Sequence, residues 1–130
     1  MSGPEATAVA VARAHVEAWG EHDFDTARAS LAKDVHVVAT TVDPMPPKVD
    51  TTGADVYMEG LIRFAQGVLP GTTKVTSTVG DDSHAMLHVT SRVKFGPDAP
   101  ELTLYGSRLY LLDANRKIKE EQVIFVVLPD

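Results

Sequence analysis

From Lys74 onward three short polar breaks, "GDDS", "GPDAP" and "DANR", divide the chain into the runs "TKVTSTV", "SHAMLHVTSRVKF", "ELTLYGSRLYLLD" and "KIKEEQVIFVV". Each run is rich in β-branched or aromatic residues, and breaks this short join antiparallel neighbours. The second half therefore reads as a four-strand meander. Such a sheet must bury one face, so the first half has to supply the cover.

The first half is mostly helical. Over roughly residues 4 to 20, Ala12, His15, Val16 and Trp19 follow the i, i+3, i+4, i+7 spacing of a buried stripe, Arg13, Glu17 and Glu21 face away, and Gly20 ends the helix. Asp23 or Asp25 caps a short second helix whose buried stripe is Phe24, Ala27 and Leu31. "DVHVVATTV" is a strand over about 34 to 42, and "DPMPPKVDTTG", with three prolines, reads as a surface loop. A third helix, about 54 to 69, carries Val56, Tyr57, Leu61, Phe64 and Val68 on one side and stops before Pro70. The expected fold is one α+β domain spanning residues 1–130. In it, three helices cover the concave side of a strongly curved, mixed or antiparallel sheet. This makes a cone, and a cone leaves a cavity for a small ligand.

Charge and composition narrow the partners. A formal charge of −6, from 18 acidic and 12 basic residues with no Lys/Arg cluster, excludes a nucleic-acid backbone as partner. The absence of cysteine removes disulfides, thiolate zinc sites and cysteine nucleophiles. No apolar run approaches the roughly 20 residues of a membrane span. "MSGPEATAVAVARAHVEAW" is interrupted by Glu5, Arg13 and His15, so neither signal peptide nor membrane anchor is expected. Cytoplasmic residence fits.

Two segments, "AWGEHDFDTARASLAKDV" and "LYLLDANRKIKEEQVIF", together with the element order, resemble the nuclear transport factor 2-like superfamily. That superfamily includes ketosteroid isomerases and SnoaL-like polyketide cyclases. The resemblance covers nearly the whole chain and implies the cone fold. It also implies positions for chemistry. On a ketosteroid isomerase, the oxyanion-hole tyrosine falls on His15, the general base on Ala39 and the protonated aspartate on Arg108. Ala39 cannot abstract a proton, so steroid isomerisation is not expected. On a SnoaL-like cyclase, the last strand's acid is replaced within Glu120, Glu121, Gln122 and Val123. The acid–Arg–acid arrangement of epoxide-hydrolase relatives is not met by "SRVKF", where Lys94 follows Arg92.

Strand alternation nonetheless assembles a mixed pocket. If Ala39 faces inward, so do Val35 and Val37; anchoring at Arg108 and Val123 brings in Leu104, Tyr110, Lys119, Glu121 and Phe125. His15, Arg108 and Glu121 are the candidate catalytic residues, with Arg as electrostatic clamp and His as proton donor or acceptor. Trp19, Tyr57, Leu61 and Phe64 complete the expected wall. Two readings stay open, for Arg108 and Glu121 can be a plain cross-strand ion pair and His15 a ring that seals helix against sheet. On "SHAMLHVTSRVKF" the criteria conflict: the family register turns His88, Thr90 and Arg92 inward, whereas the pattern buries Ala85, Leu87, Val89 and Val93.

No metal or cofactor is expected. His84 and His88 share a strand face about 13 Å apart at roughly 3.3 Å per residue, too far to share an ion. Asp81, Asp82 and Asp113 read as turn residues, His22 and His36 as surface or interface residues. The resemblance implies a homodimer through the outer face of the sheet, where Leu109, Leu111 and Ile124 lie. The function expected first is a cofactor-free acid/base enzyme of isomerase, cyclase or hydratase type acting on a hydrophobic carbonyl or polyketide-like molecule. The alternative is a non-catalytic ligand-binding or dimerisation module.

Overall fold

The structure is a computed structural model that describes residues 5–41 and 49–129. Helix α1 (Thr7–Gly20) buries Ala8, Val9, Ala12, His15, Val16 and Trp19, the predicted stripe extended by one turn. Gly20 is its last residue, but the left-handed step comes two residues later at His22 (φ 63°). What requires a glycine at position 20 is a close approach. A Cβ there would lie 2.6 Å from Thr73 Cβ. Asp23 caps helix α2 (Phe24–Ala29), its Oδ1 accepting from the Thr26 amide at 3.3 Å.

Strand β1 (Leu31–Thr41) begins three residues before its predicted start. Strand β2 (Val49–Thr52) corrects the loop reading of this segment. The three prolines of that segment fall outside the described residues, and the β-branched Val49, Thr51 and Thr52 after them pair with β1. Gly53, at φ 111°, turns the chain from β2 into helix α3 (Ala54–Ala65). That helix is four residues shorter than its periodicity suggests. Val68 is buried not on a helix but as a bridge to Val93, and Val56 is 52% exposed rather than part of the buried stripe.

The meander is as expected: β3 (Lys74–Gly80), β4 (His84–Val93), β5 (Leu102–Leu112) and β6 (Ile118–Leu128). The sheet order is β2-β1-β6-β5-β4-β3, antiparallel throughout except for the parallel β1–β6 pair. α1 packs on β3, β4 and β5, and α3 on β1 and β2, so the helices share the concave side. Among the described residues no helix is long and apolar enough to cross a membrane.

Two details fix which side chains face inward. On β4 the apolar pattern prevails over the family register. Ala85, Leu87, Val89, Ser91 and Val93 are buried, while His88, Thr90 and Arg92 lie on the opposite face. On β6 the register shifts between Leu111–Glu120 and Leu112–Ile118, which leaves Lys119 as the extra residue of a β-bulge. Ile118 and Glu121 are both buried and Lys119 is exposed, which corrects its expected inward placement.

Candidate functional site

Cross-strand register lays the cone floor out in rows. Ala39 pairs with Val123, which pairs with Arg108; one row along, Val37 pairs with Glu121, which pairs with Tyr110. Facing these rows, α3 presents Tyr57, Leu61 and Phe64. The space between is a cavity of about 280 Å³. Of the residues expected to line it, Val37, Ala39, Tyr57, Leu61, Phe64, Arg108, Glu121, Val123 and Phe125 do so.

Others are placed elsewhere. His88 and Thr90 are on the outer face, His88 bonded to Thr76 Oγ1 at 2.8 Å. Trp19 and Tyr110 are fully buried beside the cavity rather than in its wall, and His15 is fully buried behind Tyr57 and Glu121. Sequence reasoning missed Val49, Thr51, Val56 and Gly60, which complete the wall. Alternation on "VDTT" carried the signal for the first two, masked by the prolines before it.

Apart from Thr51, the wall is apolar except where Tyr57, Glu121 and Arg108 meet. Glu121 is 2% exposed and Arg108 5%. Their approach is diagonal: Arg108 Nη1 stands 3.9 Å from Glu121 Oε2, an ion pair without a hydrogen bond. Tyr57 O–H donates to the other oxygen, Oε1, at 2.8 Å. Behind it, His15 Nε2 lies 3.3 Å from the Tyr57 oxygen and 4.0 Å from Glu121 Oε2. His15 Nδ1 is 2.9 Å from the Ala27 carbonyl, which can only accept, so Nδ1 carries the ring proton. The arginine is held from the other side by Trp19, whose ring centroid lies 4.8 Å from the guanidinium carbon.

Burial sets the ionisation of these groups. It pushes the His15 ring below its ordinary value; Glu121 and the Ala27 carbonyl oppose the shift, and Arg108 adds to it. The ring is neutral at pH 7 and Nε2 is an unprotonated acceptor facing the Tyr57 hydroxyl. Burial, then the charge of Glu121, holds the phenols of Tyr57 and Tyr110 well above the ordinary tyrosine value, so both stay protonated. Burial works against the Arg108 cation, but Tyr110, Glu121 and Tyr57 outweigh it and raise its pKa.

A purely structural ion pair would satisfy its atoms, because a buried charge left unpaired is costly. Here Glu121 Oε2, Arg108 Nε, Tyr110 Oη and Trp19 Nε1 have no partner at hydrogen-bond distance among the described residues, although the Tyr110 hydroxyl interacts at longer range with both Glu121 and Arg108. The arrangement can take up a proton at Oε2 and stabilise negative charge beside Arg108. Arg92, on the outer face, pairs with Glu101 Oε1 at 3.0 Å, whereas the acid–arginine pair that lines the cavity is at Arg108. Among the described residues no three histidine or carboxylate side chains converge as a metal site requires.

The profile of the SnoaL-like domain family matches residues 12–121. Solved structures share the fold at low identity. One is an LEH-like epoxide hydrolase of M. tuberculosis (22% identity, 95% of this chain and 86% of that one, TM-score 0.70). Another is a protein of ketosteroid isomerase-like fold from Catenulispora acidiphila DSM 44928, crystallised with trimethylamine (13%, 94% and 85%, TM-score 0.72). A third is a candidate SnoaL-like polyketide cyclase from Shewanella putrefaciens CN-32 (18%, 96% and 82%, TM-score 0.74). No curated protein matches the chain.

Proposed function

This chain belongs to the SnoaL-like domain family, and from that premise we propose that it is a cofactor-free acid/base enzyme acting on a small, largely apolar molecule that carries a carbonyl. The observation behind the reading is the carboxylate of Glu121 in the lining of a largely apolar cavity, with its Oε2 buried, without a partner at hydrogen-bond distance among the described residues, and 3.9 Å from a buried guanidinium. Val37, Ala39, Leu61, Phe64, Val123 and Phe125 hold the hydrocarbon body by burying it. Its carbonyl oxygen is turned to Arg108. Glu121 Oε2 takes the proton from the adjacent carbon, the electron pair of that C–H bond becomes a carbon–carbon double bond, and the carbonyl π pair moves onto the oxygen. Arg108 stabilises the resulting enolate because its charge is fixed and desolvated before the reaction begins. Return of the proton to a different carbon completes an isomerisation. Attack of the enolate carbon on a second carbonyl, whose oxygen then takes the proton back from Glu121, completes a cyclisation.

The test uses a probe that any such site should turn over. β-Tetralone in D₂O should exchange its α-hydrogens faster with the protein than without it, and Glu121→Gln should lower that rate by about 10²- to 10⁴-fold. Binding is followed separately through Trp19, the single tryptophan, which packs on both Arg108 and Phe64 of the wall. Exchange that survives Glu121→Gln would overturn the assignment. A response of Trp19 without any exchange would establish the second reading, a non-catalytic binding pocket, which Ala39 at the relatives' base position favours.

We also read the protein as a cytoplasmic homodimer. The outer sheet face carries Met86, 46% exposed, and Ile124, 57% exposed, beside Leu109 and Leu111, and a second copy is the cover this reading supplies.

A further inference from the structure

Tyr57 has one hydroxyl proton and two acceptors. Glu121 Oε1 lies at 2.8 Å and His15 Nε2 at 3.3 Å from the same oxygen. The Ala27 carbonyl fixes the tautomer that leaves Nε2 unprotonated, so His15 cannot itself be a donor toward Tyr57. The hydroxyl must choose. An ionised carboxylate is much the stronger acceptor and holds the hydrogen while Glu121 is charged. Once Oε2 takes up a proton, Oε1 becomes an ordinary carboxylic carbonyl, a weaker acceptor than an imidazole nitrogen.

We propose that His15 is a positioning residue whose Nε2 is the alternative acceptor to which the Tyr57 hydroxyl turns whenever Glu121 is protonated. The step is a rotation about the Cζ–Oη bond of Tyr57. No covalent bond to hydrogen breaks, and the acceptor it turns to, His15 Nε2, is fully buried behind the Tyr57 and Glu121 of the cavity wall. The proposal rests on the reading of Glu121 as the base. It adds that His15 makes that base more effective: with only Glu121 to bond, Tyr57 would favour the carboxylate at every stage and penalise its protonation. The groups that face this switch are His15 and Trp19 from α1, the Ala27 carbonyl from α2, Tyr57 from α3, Arg108 and Tyr110 from β5 and Glu121 from β6. β1 contributes the apolar Val37. Only Tyr57 bonds to both of the others.

The experiment reads the His15 nitrogens by ¹⁵N NMR at pH 7.5. In the unmodified protein, Nδ1 should carry the proton and Nε2 should show the resonance of a weakly bonded lone pair. Glu121→Gln, a neutral stand-in for the protonated acid, should move Nε2 upfield as the hydroxyl turns to it. In Tyr57→Phe/Glu121→Gln that displacement should vanish. Glu121→Leu, which removes the competing acceptor, should give the same displacement and covers the case in which Glu121→Gln does not fold. A proton on Nε2, an unmoved Nε2 in both Glu121 variants, or a displacement that persists without the Tyr57 hydroxyl each overturns the proposal. None of these readings depends on turnover, so they separate it from the enzyme assignment. If tetralone exchange is found, His15→Phe should lower kcat about tenfold at unchanged KM. The same substitution in the Tyr57→Phe background should change kcat no further, and an equal loss in both backgrounds overturns the role through Tyr57.

Discussion

Tyr110 faces Glu121 directly across β5 and β6, yet the positive charge set against the carboxylate is that of Arg108, one row away, diagonally and at 3.9 Å. A pair built for stability would close that gap with a hydrogen bond. Leaving it open leaves Oε2 buried without a partner at hydrogen-bond distance among the described residues, and the two charges compensate each other less well than in a bonded pair.

Stability should therefore be gained by removing the pair together. Arg108→Met alone is expected to cost about 3 kcal/mol, because Glu121 is left buried without its counter-charge. Adding Glu121→Met should recover most of that loss or more, while abolishing tetralone exchange. Urea unfolding of the two single variants and the double variant measures this; a double variant no more stable than the worse single one would show the pair to be a structural asset.

The depressed His15 pKa sets the sign of an acid effect. A folded value below the unfolded one means that the unfolded chain binds more protons, so this contribution is complete above about pH 6.5. It falls as pH drops toward the folded value and is exhausted beneath it. His36 works oppositely: its hydrogen bond to Asp50, helped by Glu120, raises its pKa, so its contribution is present at low pH and fades as pH rises through the folded value. Comparing unfolding of the unmodified protein with His15→Asn between pH 7.5 and 5 cancels the His36 part. The unmodified protein should lose more stability over that range, and parallel curves would contradict a buried neutral ring.

Filling the cone should block ligand without unfolding the protein. Ala39→Leu adds volume where Ala39, Val123 and Arg108 form a row facing open cavity. The expected result is a Tm within a few degrees of the unmodified protein and at least tenfold weaker quenching of Trp19 by β-tetralone. Undiminished quenching would place the ligand elsewhere.

Assembly is testable at the outer face. Ile124 sits on β6, between Thr40 of β1 and Ser107 of β5, with its side chain away from the cavity. Sedimentation should give a dimer at micromolar concentration, and Ile124→Glu should shift it toward monomer with the helical and sheet content intact. A monomer in the unmodified protein would refute the homodimer.

Much of this was legible in the amino-acid order, and the exceptions have physical causes. The four meander strands follow from β-branched runs, and the inward Glu121 and Phe125 follow from period-two alternation once the resemblance to relatives anchors Arg108 and Val123. On β4 the same alternation buried the correct face, while analogy with relatives put His88 and Thr90 on the wrong one. β2 was hidden because four residues after a proline cluster carry too short a pattern to read. The bulge at Lys119 has no glycine or proline to mark it. Nothing local announces that Tyr57 would meet both His15 and Glu121, since that contact depends on how α3 settles on the sheet. His15 could be selected as a ring on an apolar stripe; its place behind the cavity wall could not.

The bulge means that β6 is read in two frames. Ile118 belongs to the frame that seals the core, whereas Glu121, Val123 and Phe125 belong to the frame that faces the cavity, and Lys119 is the slip between them. Were that slip absent with every residue retained, the strand counted from Ile118 would turn Glu120, Gln122 and Ile124 inward. The carboxylate, the apolar wall and the outer apolar face would then all change places at once. In this fold a shift of a single residue, with no substitution, can exchange one pocket chemistry for another as a block.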